Sequence, residues 1–592
     1  MGAREGAVSG DPGTVVLRRA DDDCWRSFRR PMEIVTAQNP EEVLPLLRYL
    51  EEQVREKRRH AAGFLSYEAA PGFDPALRVR RSDNFPLLWF GLYEGFQEAR
   101  GLLRGPQTGS RLDWRPGVTR EEYGHALHLV KDRIARGDTY QVNYTYRLRA
   151  PFEGDPWAYF LELAGRARAG HAAYVNLGRW SVCCASPELF FQLEGGMLVS
   201  RPMKGTAPRG LSAAEDEERA RWLRESAKNR SENIMIVDMI RNDMGRVAEI
   251  GSVSVPRLCE IERYPTVLQM TSTVQARVTA PPSEVLRALF PCASITGAPK
   301  VSTMGIIAEV ESSPRGLYTG SIGQMEPVDG GVSARFNVVI RTVVVDRRAC
   351  SAEYGVGGGI LWESDPEEEY LECEIKTRVL RPAPSSIELL EAILWTPAEG
   401  FFLLERHMNR LCESAAYFGI SLDAAAVRRA LAELASGLPP HDHKVRLVVS
   451  AEGPPALSAQ PLDEIARPAV QRVCLAGEPV SRSDVLLYHK TGNRARLQRE
   501  LREHPGCDDV ILWNEEGEVT ESCTANIVVQ TAAGKVTPPV SSGLLPGTFR
   551  AHLLSEGSVT ERVVTRDELR ACRSIWLVNS VRRWMPAMLT DP

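Results

Sequence analysis

Residues 119–148, TREEYGHALHLVKDRIARGDTYQVNYTYRL, change period halfway along. Up to Gly137 the apolar positions Ala126, Leu127, Val130 and Ile134 recur on one helical face, Thr119 and Glu122 have the spacing of a capping box, and Gly137 marks the stop. From Thr139 onward, tyrosines, Val142 and Thr145 favour an extended strand. The stretch predicts an amphipathic helix running into a strand, so the chain is of mixed α and β type. Further on, VSARFNVVIRTVVV (332–345) predicts one strand, while ENIMIVDMI (232–240) fits a buried helix or strand equally well.

The whole chain has 592 residues, too many for one core. The segment RPAPSS (381–386) reads as a linker, which divides the chain into parts 1–380 and 387–592. With 72 basic and 77 acidic residues and a net charge of −5, nothing calls for nucleic acid or an anionic membrane as partner. No apolar run reaches the ~20 residues of a membrane helix and the N-terminus has no signal-peptide core, so a cytoplasmic location is expected. The 12 cysteines lack zinc-site spacing and read as reduced, mostly buried residues.

Special backbone and acidic residues gather in the first part. RPMKGT (201–206) places Lys204 in a turn, SPELF carries Glu188, and KNRSENIMIVDMIRNDMGRV begins near Glu232. YGVGGGILWESDPEEEYLECEIK (354–376) joins a glycine run, which permits close backbone approach, to Glu369 and Glu372, which share a face if the segment is helical. Two such carboxylates suit Mg²⁺, which takes one or two from protein and the rest from ligand and water. By composition alone, PEEEYLECE reads as well as a solvated helix face.

These segments, with FPCASITGAPK, GLYTGSIG and FNVVIRTV, resemble in order and wording the chorismate-utilising enzymes, among them anthranilate, isochorismate, salicylate and aminodeoxychorismate synthases. The dense part of the resemblance covers about residues 120–378. It implies an α+β fold, an antiparallel β-sandwich with helices, and chorismate as substrate. It further implies Lys204 as nucleophile, the position at which anthranilate synthases carry Ala, and Glu188 as general acid or base. Glu232, Glu369 and Glu372 are implied at Mg²⁺, with Tyr318, Arg341, Thr296, Gly297 and Gly359 binding substrate. Gln269 in VLQMTS stands where anthranilate synthases have His, and no cysteine has the context of a glutaminase nucleophile. Ammonia is therefore expected from solution or from a separate glutamine amidotransferase subunit.

The second part holds Lys490 in LLYHKTGNRARLQRE, Glu521 in GEVTESCTANIVV, and a glycine turn in SSGLLPGTFR with Gly543, Gly547 and Thr548. Lysine, carboxylate and anion cup are the parts that pyridoxal 5′-phosphate requires. Taken singly, they read as a loop charge, a turn residue and chain punctuation. Together with ERHMNRL and VNSVRRWMP they resemble the fold-type IV pyridoxal-phosphate enzymes, aminotransferases and aminodeoxychorismate lyase alike. This implies a two-lobed α/β domain, Lys490 as the lysine that bonds the cofactor and then acts as base, Glu521 at the pyridine nitrogen, and Arg410 and Thr548 at the phosphate. A homodimer through this part is compatible with the resemblance. The two halves together imply a path from chorismate and ammonia through 4-amino-4-deoxychorismate to p-aminobenzoate and pyruvate. The alternatives are an anthranilate- or salicylate-forming half joined to an aminotransferase, and a second half that only binds.

Overall fold

The computed structural model describes residues 11–81, 85–100, 112–381, 387–450, 453–463, 468–532 and 534–590. The expected linker 381–386 lies, apart from Arg381, outside the described residues. The chain forms two compact units, residues 1–209 with 219–383 and residues 384–592 with 210–218.

The first unit is built on two ten-stranded sheets whose registered pairings are all antiparallel. Val15, Leu17 and Phe28 of one sheet and Phe64, Trp89 and Ile322 of the other fill the layer between them. Helices cover the outer faces. Pro40–Lys57 buries Val43, Leu47, Leu50 and Val54 at i, i+4, i+7 and i+11. Helix Ala227–Gly245 sets Ile236, Val237, Ile240 and Met244 into the same cluster, which settles the ENIMIVDMI ambiguity as a helix.

The opening stretch folds as its pattern predicts. Helix Arg120–Ala135 starts from Thr119 with both capping-box bonds formed, and strand Gln141–Pro151 follows. That strand pairs along its length with Ser351–Ile360, the glycine-run strand.

The strand expected over 332–345 is two strands, Gly331–Asn337 and Thr342–Asp346. They belong to different sheets, so the chain leaves one layer and enters the other between Val338 and Arg341. Apolar β-branched residues suit both sides of the crossing, which is why periodicity did not reveal it. Arg341 takes φ 51° at the corner.

A charged cluster lies within this unit. Arg315 pairs with Glu311 at 2.7 Å and donates to the carbonyls of Ile295 and Asn143. Glu68 accepts from the Arg315 backbone N–H at 2.7 Å, while its other oxygen is buried without a partner. Burial pushes its carboxyl up to about 7.

The second unit has two sheets. One is four-stranded and antiparallel, with helices Leu404–Phe418 and Ala424–Ser436 packed around Ile393, Leu411, Val427 and Val445. The other is eight-stranded and mixed, with parallel pairings of Gln471–Leu475 to Asp509–Trp513 and to Arg583–Leu589. None of the 12 cysteines is disulfide-bonded. Among the described residues no helix is long and apolar enough to cross a membrane.

Candidate active sites

In the first unit a cavity of about 430 Å³ is lined by Glu188, Lys204, Glu232, Gln269, Tyr318, Arg341, Gly359, Glu369 and Glu372, with residues that sequence did not single out. Lys204 lies on strand Met203–Pro208, and Asn233 of helix Ala227–Gly245 donates to its backbone carbonyl. Among the described residues its ammonium group makes no hydrogen bond or ion pair, and it lies at Gly359, where a Cβ would stand 2.6 Å from Nζ. Burial and the Lys376 cation lower the Lys204 pKa, against Glu232, Glu372 and Glu188. The amine is thus biased toward the neutral, nucleophilic form.

Glu188 is buried, accepts from Ser294 Oγ at 2.7 Å, and is pushed by burial up to about 7. Such a carboxyl exchanges protons near neutral pH, as general acid–base work requires. Arg341 carries its guanidinium to the cavity, 5.7 Å above the Tyr264 ring, and makes no side-chain hydrogen bond or ion pair among the described residues. Burial lowers its pKa. Glu188 acts on it through its charge alone, so the guanidinium keeps donors free toward the cavity, as a grip on a carboxylate requires.

Helix Pro366–Thr377 starts at Asp365, whose Oδ1 accepts from the Glu367 and Glu368 N–H groups. Its acidic run divides by face. Glu367 and Glu374 pair with Arg120 on the solvent side, while Glu369 and Glu372 face the cavity. Glu369 accepts from Ser364 Oγ at 2.7 Å and rises to about 7, through burial and then Glu372. Glu372 pairs with Lys376 at 2.7 Å, and Lys376 also donates to the Gly357 carbonyl. Glu232 makes no hydrogen bond among the described residues and is raised by burial.

Among the described residues no three metal-ligating side chains converge. The three expected carboxylates all line the cavity without converging: Glu369 accepts from Ser364 with one oxygen, Glu372 pairs with Lys376, and Glu232 lies close enough to Glu372 to feel its charge, which makes Glu232 and Glu372 a two-carboxylate set. That donor set fits Mg²⁺, which completes its shell with ligand oxygen and water.

Thr296 and Gly297 stand behind the cavity wall. Thr296 Oγ1 donates to the Cys292 and Ala293 carbonyls, and Gly297 pairs with Val142, where a Cβ would meet the Gln141 carbonyl oxygen at 2.0 Å. Their neighbours Ser294 and Ile295 form the lining instead. Gln269 accepts from Thr206 and donates to the Gly205 carbonyl, fixing the turn after Lys204. Lys376 was missed by sequence reading, although its i,i+4 spacing from Glu372 was a usable signal.

In the second unit a cavity of about 280 Å³ is lined by Lys490, Glu521, Arg410, Gly547 and Thr548. Burial, Arg410 and Arg494 lower Lys490 to about 8. Burial raises Glu521 to about 8 although it accepts from Leu545 N–H. Arg410 is held by Glu391 at 2.6 Å and donates to the Pro546 carbonyl. Thr548 begins the helix Thr548–Ser555 behind Gly547, whose Cβ would strike Asn526 Oδ1 at 1.9 Å. An amine of lowered pKa, a carboxyl able to face a pyridinium, and an arginine and hydroxyl at one end fit pyridoxal 5′-phosphate. Gly543 does not line the cavity; it closes the short turn Val540–Ser542 with φ 96°.

Comparison with known proteins bears on both units. The chorismate binding enzyme family matches residues 14–382, and the amino-transferase class IV family matches residues 388–588. "Aminodeoxychorismate synthase component 1" of Escherichia coli (strain K12) is 41% identical over 272 residues, 45% of this chain and 59% of its own length. The chain thus spans less than two thirds of that relative. "Anthranilate synthase component 1 1" of Haloarcula marismortui is 36% identical over 333 residues, 54% of this chain and 67% of its own length. The crystal structure of anthranilate synthase component I from Streptococcus pneumoniae TIGR4 shares the fold, with TM-score 0.51 and 22% identity over 64% of this chain and 95% of that one. The chain belongs to the chorismate binding enzymes and carries a class IV aminotransferase domain after them.

Proposed function

We propose that the first cavity converts chorismate and ammonia to 4-amino-4-deoxychorismate, and that the second converts this product to p-aminobenzoate and pyruvate. The observation that carries the reading is Lys204, an unpaired amine of lowered pKa beside Glu188 and Arg341 in one cavity. Lys204 Nζ attacks ring carbon C2 while Glu188 gives its proton to the departing C4 hydroxyl. Ammonia then adds at C4 and expels the lysine. Arg341 grips a substrate carboxylate, with Tyr318 and Gly359 shaping the wall. Mg²⁺, held by Glu232 and Glu372, would supply positive charge for substrate carboxylate.

In the second cavity Lys490 would hold the cofactor, Glu521 would serve its pyridine nitrogen, and Arg410 and Thr548 would hold its phosphate. Pyridoxal 5′-phosphate, when bound, supplies electron withdrawal at the carbon bearing the amine. Lys490 Nζ, freed when the substrate amine takes its place, takes the C4 ring proton and returns a proton to the C3 ether oxygen as the C3–O bond breaks, so the enolpyruvyl group leaves as the enol of pyruvate and the ring becomes aromatic. Ammonia comes from a separate glutamine amidotransferase subunit, a reading supported by relatives named component 1. A cytoplasmic location and a homodimer through the second unit belong to the same proposal.

The test is product analysis of the purified chain with chorismate, Mg²⁺, pyridoxal 5′-phosphate and an ammonium salt. Equal p-aminobenzoate and pyruvate are expected. Anthranilate as the aromatic product would overturn the Lys204 assignment, and an accumulating amino-chorismate would overturn that of Lys490.

A further inference from the structure

Behind the second cavity, Glu391, an acidic residue in the apolar strand Leu389–Thr396, is buried and receives Arg410 through Nε at 2.9 Å and a terminal nitrogen at 2.6 Å. His407 Nδ1 lies 2.6 Å from the same carboxylate, and His407 Nε2 lies 3.2 Å from Thr548 Oγ1. Burial works to raise Glu391, but Arg410 and His407 hold it down to about 2. An ionised carboxylate only accepts, so His407 Nδ1 carries a hydrogen. Burial, Arg410 and Lys490 favour the neutral ring, against Glu391. A neutral ring has a bare Nε2, and Thr548 must then donate its hydroxyl hydrogen to it. Thr548 accordingly presents lone pairs, not a proton, to the cavity it lines with Arg410.

That polarity is wrong for a phosphate dianion. One proton added at His407 Nε2 reverses it: Nε2–H donates to Thr548 Oγ1, and the freed hydroxyl hydrogen donates to the anion. We propose that His407 is a positioning residue that takes one proton from solvent as a phosphate monoester seats against Thr548. The inference rests on the pyridoxal-phosphate reading and adds to it a coupling between anion binding and protonation. The groups facing the ring are Glu391 from the strand, Arg410 from its own helix, Thr548 from the helix at the cavity end, and the Lys490 cation. A dianion adds negative charge to this set and tips it toward the imidazolium.

The experiment titrates the full chain with pyridoxine 5′-phosphate, which has no aldehyde and forms no bond to Lys490. Calorimetry at pH 7.5, where a phosphate monoester with second pKa of about 6 is nearly all dianion, is run in two buffers of different ionisation heat. Because Lys490 and Glu521 also titrate near this pH, the reading is the difference from His407→Gln and from Thr548→Val. The native chain is expected to take up more protons than either variant, by about one per site. Equal uptake in the native chain and a folded variant overturns the coupling, as does a bound phosphorus resonance at the monoanion position. If the native chain binds no pyridoxine 5′-phosphate at millimolar concentration, the cofactor reading itself falls.

Discussion

At the scale of single residues, charge states carry the chemistry. With its carboxyl at about 7, Glu188 is protonated below neutrality and able to donate. The kcat/KM of the first reaction should therefore fall as pH rises past about 7. In Glu188→Gln that limb should vanish, with activity down by roughly 10²–10⁴-fold. Gly359→Ala places a methyl where Lys204 Nζ and Gln141 Nε2 now lie, within 2.6 Å and 2.1 Å. It should remove most amino-chorismate formation while leaving the unfolding temperature within a few degrees. Glu68 gives a stability prediction. Its folded pKa of about 7 exceeds the unfolded 4.5, so the neutral form favours the fold and that contribution is lost as pH rises from about 4.5 through 7. Glu68→Gln should lose about 2 kcal/mol less than the native chain between pH 5 and 7 in urea unfolding, at about 1.4 kcal/mol per pKa unit. Lys204 was singled out through the resemblance that the order of motifs carries, since RPMKGT alone reads as readily as a solvated loop charge. Glu391 was not, because its partners His407 and Arg410 lie 16 and 19 residues away and its neighbours are apolar.

At the scale of elements, caps and faces decide what reaches the cavity. Asp365 fixes the first turn of the helix that bears Glu369, Glu372 and Lys376. Asp365→Ala should cost ~1 kcal/mol in thermal unfolding and raise KM for chorismate more than it lowers kcat. The helix at 120–135 could be read from sequence because its cap and its periodicity are both local. The division of PEEEYLECE into a solvent side and a cavity side depends on Arg120, more than 240 residues away in the chain. At Thr296 and Gly297 the motif led to the right wall: Thr296 Oγ1 donates to the Cys292 carbonyl and Gly297 pairs with Val142, while their neighbours Ser294 and Ile295 line the cavity.

At the scale of the molecule, each candidate cavity is lined by residues on one side of position 384. Purified Lys204→Ala and Lys490→Ala chains should each make no p-aminobenzoate alone. Mixed with chorismate and ammonium, they should make it after a lag while amino-chorismate accumulates; no product from the mixture would mean the intermediate does not pass through solvent. The RPAPSS stretch and two unrelated sets of motifs are the sequence signals of two parts, and the two family matches meet at that stretch, whereas the grouping of residues 210–218 with the second unit had no signal in the sequence. The passage of the chain from one sheet to the other at Val338–Arg341 was not readable either, since a run of valines suits either layer. That passage makes Arg341 a fuse between two layers: denaturant or heat that loosens either sheet displaces the guanidinium proposed to grip the substrate. Inactivation and global unfolding of the first unit should share one midpoint, so residual turnover of chorismate can serve as a meter of how much sandwich remains intact.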